Sequence, residues 1–210
     1  MLREILERTG IRKPRLAYLG AASGDNPAFR LFIARMLQKA GAGIVALAPL
    51  CGRKADRDAA RRVLSDADIV FVSGGDVEAG MRVLEEQGMI SFLRVLYRAG
   101  KPFFGVSAGS IMLARSWIRW RNPHDDSSAE LFPCMGFAPV LCDTHGEGDE
   151  WGELKAALAL CPIGTLGYGI VSGSALIMES DGSLIARGND IPVFCRRKAE
   201  VMQVESLPSS

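Results

Sequence analysis

Residues 101–120 read KPFFGVSAGSIMLARSWIRW, and the fold turns on how this stretch is read. Lys101 to Val106 is a short apolar run with a proline near its start, which predicts a buried strand. Ser107 to Trp120 opens with small residues and continues as a predicted helix. At the junction lies Gly105-Val106-Ser107-Ala108-Gly109. A serine between glycines two residues either side, at a strand-to-helix turn, has the context of a nucleophile elbow. The turn forces the serine into strained backbone angles. The flanking positions must be small because the strand and helix backbones close on them. It lifts the hydroxyl clear of the sheet and aims the N–H of Ala108 at the carbonyl oxygen of a bound acyl group. The bland alternative is a plain tight turn at a sheet edge.

Working outward from the elbow, strand and helix patterns alternate. Toward the N-terminus lie three more short apolar runs, Arg15 to Gly20, Ile44 to Leu50 and Ile69 to Val72. Helical patterns separate them at Asn26 to Gly41, with apolar Phe29, Phe32, Ile33, Met36 and Leu37, and at Asp56 to Ala67. Two more, Gly80 to Gln87 and Ile90 to Ala99, precede the elbow strand. Strands apolar throughout and separated by helices imply a parallel sheet covered on both faces, with right-handed crossovers. Beyond the elbow, Gly136 to Asp143 predicts a further strand. Short β patterns at Ala175–Glu179, Ser183–Ala186 and Val193–Phe194, punctuated by Gly182, predict a late antiparallel hairpin. The 210 residues suit a single α/β domain spanning 1–210.

Composition removes several function classes. Apolar residues are 48%, charged residues 23% and the net charge +1, so no electrostatic grip on nucleic acid or an anionic membrane is expected. Arg115, Arg119 and Arg121, and Arg196 to Lys198, read as solvated faces. Five cysteines, an odd count with no CxxC pair, argue against a disulfide framework or a zinc site. The N-terminus lacks a signal-peptide core and no apolar run reaches membrane-spanning length, so a reducing cytoplasm is the expected compartment.

A serine nucleophile needs a base, because its hydroxyl hardly ionises at neutral pH. Of the two histidines, His145 follows the APVLCD run at the carboxyl edge of the predicted sheet, where ligands of open α/β sheets bind. Gly146 and Gly148 beside it predict an open loop. His124 lies in a polar loop and is the weaker candidate. Gly74-Gly75-Asp76, after the Ile69–Val72 strand, is a candidate second oxyanion donor, or an ordinary turn with Asp76 as N-cap; both readings are compatible.

The order IVFVSGGD, PFFGVSAGS and a strand ending in DTH resembles the serine peptidase family that contains aspartyl dipeptidase and cyanophycinase. The likeness runs from roughly Arg15 to Leu176. It implies a flavodoxin-like three-layer α/β/α sandwich akin to class I glutamine amidotransferases. It also implies Ser107 as nucleophile, His145 as base, and the N–H groups of Gly75 and Ala108 as oxyanion hole. No metal or organic cofactor is implied. The third triad member departs from the pattern. Cyanophycinase-like members carry a glutamate where this chain has Ser172, in Gly167 to Ser172. Dipeptidase-like members carry an aspartate between nucleophile and histidine, where Asp125 is nearest and Asp126 next; Glu147, Asp149 and Glu150 also lie close to His145. The arginines that follow the histidine in cyanophycinase-like members are here Glu147, Asp149, Glu150 and Glu153. An acidic rim would favour a free amino group or basic side chain; the alternative is a solvated loop and helix start. The leading expectation is a serine exopeptidase acting on short peptides, with a homodimer as candidate assembly. The others are a catalytically silent relative that binds a peptide or small molecule, and an esterase or amidase.

Overall fold

A computed structural model describes residues 1–198 and 200–210. The chain divides into two compact units, residues 2–112, and residues 113–210 together with Met1.

In the N-terminal unit α1 (Leu2–Glu7) precedes β1 (Leu16–Leu19), α2 (Pro27–Ala40), β2 (Val45–Ala48), α3 (Arg57–Asp66) and β3 (Ile69–Val72). Then come α4 (Val77–Glu86), α5 (Ile90–Arg98), β4 (Phe103–Gly105) and α6 (Ala108–Leu113). The four strands form a parallel sheet in the order β2-β1-β3-β4, with Leu16 opposite both Val45 and Ile69. Every residue of β1 and β3 is buried, as a sheet covered on both faces requires. Leu16, Tyr18, Ile69 and Phe71 pack against Leu6 of α1 and Ile33 and Leu37 of α2. Ala17, Leu19, Val70 and Val72 alternate with them and face the opposite layer, which right-handed crossovers assign to α3, α4 and α5. There Arg61 of α3 lies over the Phe92 ring of α5 at 5.4 Å. The parallel sheet covered on both faces, read from the strand and helix spacing, and the three-layer sandwich implied by the resemblance are thus the fold of this unit. Helix starts follow local chemistry: Asn26, Asp56 and Asp76 accept N-cap hydrogen bonds from the N–H groups of Phe29, Ala59 and Ala79. The apolar stripe of α2 divides, however. Ile33 and Leu37 are buried, whereas Phe29, Phe32 and Met36 are exposed, because a helix on a flat sheet buries only its central ridge.

In the C-terminal unit β5 (Ser116–Trp120) pairs antiparallel with β6 (Ala129–Pro133). β7 (Leu141–Thr144), α7 (Gly152–Ala159) and β8 (Leu166–Ile170) follow. Next are β9 (Ala175–Met178), β10 (Leu184–Arg187), β11 (Ile191–Arg197) and β12 (Glu200–Leu207). The second sheet runs β12-β11-β8-β7, with β7 and β8 parallel and the other pairs antiparallel. The expected hairpin is β9–β10, with Gly182 at φ 86 in its turn. Leu141, Trp151, Leu154, Leu158, Cys161 and Phe194 form the core beneath α7.

Three sequence expectations change here. The helix predicted over Ser107 to Trp120 stops at Leu113, and Ser116–Trp120 is a strand. Its alternation of Trp, Ile, Arg and Trp suits a pleated surface. Arg119 and Arg121 both grip Glu130 from across the ladder or beside it, and Arg119 also lies over the Phe132 ring. The strand predicted over Gly136 to Asp143 shrinks to Leu141–Thr144, because the N–H groups of Gly136 and Phe137 turn back to the carbonyls of Ala114 and Leu113. The amino-acid pattern of Leu166–Ile170 predicts no strand, since Gly167 and Gly169 weaken its β character, yet the segment is β8. Both glycines answer to α7 and its lead-in: a Cβ on Gly167 would lie 2.9 Å from Leu154 and Leu158, and one on Gly169 2.7 Å from the Trp151 ring.

Gly169→Ala should therefore lower stability by about 1–3 kcal/mol through overpacking. Gly148→Ala, where an added Cβ meets nothing within 4 Å, should stay within about 0.5 kcal/mol of the parent. Urea denaturation of both variants checks the contrast.

Candidate active site

The carboxyl ends of β1, β3 and β4 converge on the elbow. Ser107 sits at φ 56, in the left-handed region that costs a residue with a side chain about 1–3 kcal/mol. The cause is backbone crowding. A Cβ on Gly105 would lie 2.3 Å from the Gly109 carbonyl carbon, and one on Gly109 only 2.2 Å from the Val72 carbonyl oxygen. The elbow thus presses α6 onto the end of β3. The Gly74 loop meets it from the other side, since a Cβ there would lie 3.2 Å from Ser107 Cβ. Gly75 holds φ 144, and the Ala22 carbonyl oxygen fills the space its Cβ would need, at 2.0 Å. That same carbonyl accepts the Asp76 N–H at 2.9 Å. Asp76 is the N-cap of α4 as well, the turn reading of Gly74-Gly75-Asp76. Beneath the loop the fully buried Ser73 hydroxyl lies 3.2 Å from Ser23 Oγ, tying the ends of β1 and β3 together. Neither Gly75 N–H nor Ala108 N–H donates to another group among the described residues.

His145 belongs to the C-terminal unit, directly after β7, and is exposed. Its φ of 66 turns the chain into a tight 3-10 turn at Gly146–Gly148. The open loop expected here is instead packed: Gly146 is buried against Trp151, whose ring would lie 2.5 Å from an added Cβ. His124 lies in an exposed turn and donates its N–H to Asn122 Oδ1.

The acids near His145 each have a local role. Asp125 Oδ1 accepts from the N–H and hydroxyl of Ser127, at 2.9 and 2.6 Å. Glu147 Oε1 accepts the Ser172 N–H at 2.5 Å. That bond first, and the nearby His145 charge last, hold the Glu147 carboxyl below its ordinary range. Asp149 accepts from the Trp151 N–H, Glu150 lies 3.8 Å from Lys155 Nζ, and Glu153 accepts from Trp117 Nε1 at 3.2 Å. Asp149 and Glu150 thus engage the start of α7, Glu153 engages Trp117 of β5, and Glu147 engages the Ser172 N–H beyond β8. Sequence reasoning missed Asp143, which is 5% exposed in β7. It lines a cavity of about 10 Å3 with Trp117 and Glu153. Burial pushes its carboxyl up to about 6, against the pull of the Thr144 N–H. Its signal in the sequence is a single carboxylate closing the apolar run that ends at Asp143. Burial also pushes the Cys51 thiol to about 11 and those of Cys134 and Cys142 to about 12, which leaves these three poor nucleophiles.

A strained serine at the carboxyl edge of a parallel α/β sheet, flanked by two obligatory glycines, defines a nucleophile-elbow protein. Comparison with known proteins narrows the class. The model of peptidase family S51 matches residues 1–185, and the chain belongs to that family. It is 28% identical to Peptidase E of Shewanella sp. (strain ANA-3) over 150 residues, 67% of this chain and 63% of that protein. It is 26% identical over 149 residues to the pyridoxal 5'-phosphate synthase subunit PdxT of Geobacillus stearothermophilus, covering 70% of this chain and 71% of that one. With PdxT of Anoxybacillus flavithermus the match is 27% and spans 45% of that protein, so the chain covers only part of some curated relatives. Among solved structures, a peptidase from an acI-B1 Actinobacterium superposes with a TM-score of 0.69 at 17% identity, over 99% of this chain and 89% of that one. A putative Peptidase E from Listeria monocytogenes gives 0.67 at 12%, over 90% and 93%; both show the shared fold.

Asp143 makes stability depend on pH. Its folded value, about 6, lies above the ordinary 3.8, so the folded state holds the proton more tightly. The penalty is absent below about pH 4 and grows as pH rises through 6. Asp143→Asn should therefore stabilise the protein at pH 7, by on the order of 2 kcal/mol, with the gain vanishing near pH 4. Thermal denaturation of both proteins across that range checks the sign.

Proposed function

We propose that the chain is a serine exopeptidase that hydrolyses short peptides through an acyl-enzyme on Ser107. The observation that supports it most is Ser107 itself, held at φ 56 between Gly105 and Gly109 in a member of peptidase family S51. In this reading His145 takes the Ser107 proton as Oγ attacks the scissile carbonyl. The N–H groups of Gly75 and Ala108 donate to the oxyanion that forms. His145 then gives the proton to the leaving amine, and water activated by the same imidazole releases the acyl group. The resemblance to dipeptidase-like members offers Asp125 as triad acid by chain order, but its Oδ1 is engaged with Ser127.

The reading extends to one hydrolytic domain over residues 1–210, working in the cytoplasm as a homodimer on a peptide or small-molecule substrate, without nucleic acid or membrane. Five free cysteines fit a reducing compartment, and among the described residues no helix is long and apolar enough to cross a membrane. One observation favours a second reading, a silent relative that binds a peptide. Ser172 carries no charge at the position resembling the family's glutamate.

A dipeptide-library screen and a fluorophosphonate probe separate the two. The wild-type chain should be labelled at Ser107 and should cleave a subset of dipeptides. Ser107→Ala should lose labelling, and turnover should fall roughly 10³-fold or more with the fold intact by circular dichroism. Unchanged turnover in that variant sinks the mechanism; a wild-type chain that neither labels nor cleaves supports the binder.

A further inference from the structure

We infer that Glu147 is the residue that positions His145, its carboxylate held at the end of β8 by the Ser172 N–H. The inference rests on the reading of Ser107 and His145 as nucleophile and base, and concerns only the acid.

The sheet brings the two segments together. β7 and β8 are parallel, with Thr144 opposite Ile170, so His145 and Val171-Ser172 leave the sheet side by side. The left-handed backbone at His145 and the 3-10 turn over Gly146–Gly148 fold Glu147 back across this edge, where its Oε1 meets Ser172 N at 2.5 Å. Both sides of that contact are braced. The Trp151 N–H closes the turn on the Gly146 carbonyl at 2.8 Å, and the Trp151 ring wedges against Gly146 and Gly169. Asn189 Nδ2 donates to the Ser172 carbonyl at 3.2 Å, and the Ser174 N–H donates to the Val171 carbonyl at 3.0 Å.

A carboxylate has acceptor sites on two oxygens, so one hydrogen bond to Ser172 leaves capacity for an imidazole N–H. The charge of His145 already helps to hold the Glu147 carboxyl below its ordinary range. The other acids serve elsewhere: Asp125 in the Ser127 turn, Asp143 in the cavity beside Trp117, Asp149 on the Trp151 N–H, Glu150 beside Lys155 and Glu153 on Trp117. A serine whose backbone anchors a neighbouring glutamate thus supplies the charge that its own side chain lacks.

The test is the rate at which a fluorophosphonate labels Ser107 in the full chain, measured from pH 5 to 9. Removing an anion beside an imidazolium lowers the imidazolium pKa, so Glu147→Gln should slow labelling at least about tenfold at pH 7. It should also move the rising limb of the profile about half a unit or more toward lower pH. Glu147→Asp should recover part of the rate, and Ser172→Glu placed in the Glu147→Gln background should restore it. Labelling by Glu147→Gln at the wild-type rate, or slowed with an unmoved profile, overturns the assignment. So does a larger loss in Asp125→Asn than in Glu147→Gln. His145→Ala separates the two levels. If it labels at the wild-type rate, the base reading fails and takes the inference with it. If it abolishes labelling while Glu147→Gln is neutral, only Glu147 is overturned.

Discussion

The N-terminal unit depends on one steric constraint, the approach of α6 to the carboxyl end of β3. Two backbones that close to within a missing Cβ admit only glycine at Gly105 and Gly109. With those positions pinned, the residue midway between them has little choice of φ, and Ser107 is driven to 56. The parallel sheet supplies the force. β1 and β3 are buried along their whole length, so the hydrophobic gain of closing both layers maintains a strained serine at their edge. Gly75 repeats the logic against the Ala22 carbonyl, where a backbone contact rather than a side chain shapes the loop.

The C-terminal unit uses an aromatic wedge to the same end. Trp151 is buried between the turn that follows His145 and the strand β8, and the two glycines it touches permit that approach. A bulky ring in this place converts a glycine-rich stretch into an ordered turn. The left-handed backbone of His145 and the position of Glu147 then follow from the same packing.

Electrostatics around that turn are local. Acidic residues that look in sequence like a repulsive rim are each satisfied by a nearby N–H, indole or ammonium group. Such pairing uses their charge to order the turn and to start α7, leaving less of it to act on a substrate. Asp143 is the exception, a carboxyl enclosed beside Glu153 whose charge is opposed by burial and by its acidic neighbours.

Much of this was legible in the amino-acid sequence. Strands β1 to β4, helices α2 to α5, the elbow and the late hairpin all declare themselves through local periodicity and turn chemistry, which need no partner to be read. Glycines at 105 and 109, two residues either side of a serine at a strand end, pointed to a close approach of strand and helix backbones, which the structure shows. Other features depend on partners distant in the chain. Ser116–Trp120 is a strand only because Ala129–Pro133 pairs with it, and Leu166–Ile170 is one despite two glycines because Trp151 and α7 occupy the space those glycines leave. The exposure of Phe29, Phe32 and Met36 reflects how α2 lies on the sheet, which a helical stripe cannot express. Nor does spacing along the chain disclose that Glu147 meets Ser172, since the parallel register of β7 and β8 brings together residues 25 positions apart. The sequence by itself determined which segments form the sheet and where the strained serine falls, because both are local steric facts; the tertiary structure alone decided that Ser172 meets Glu147 beside the histidine, because that depends on strand register.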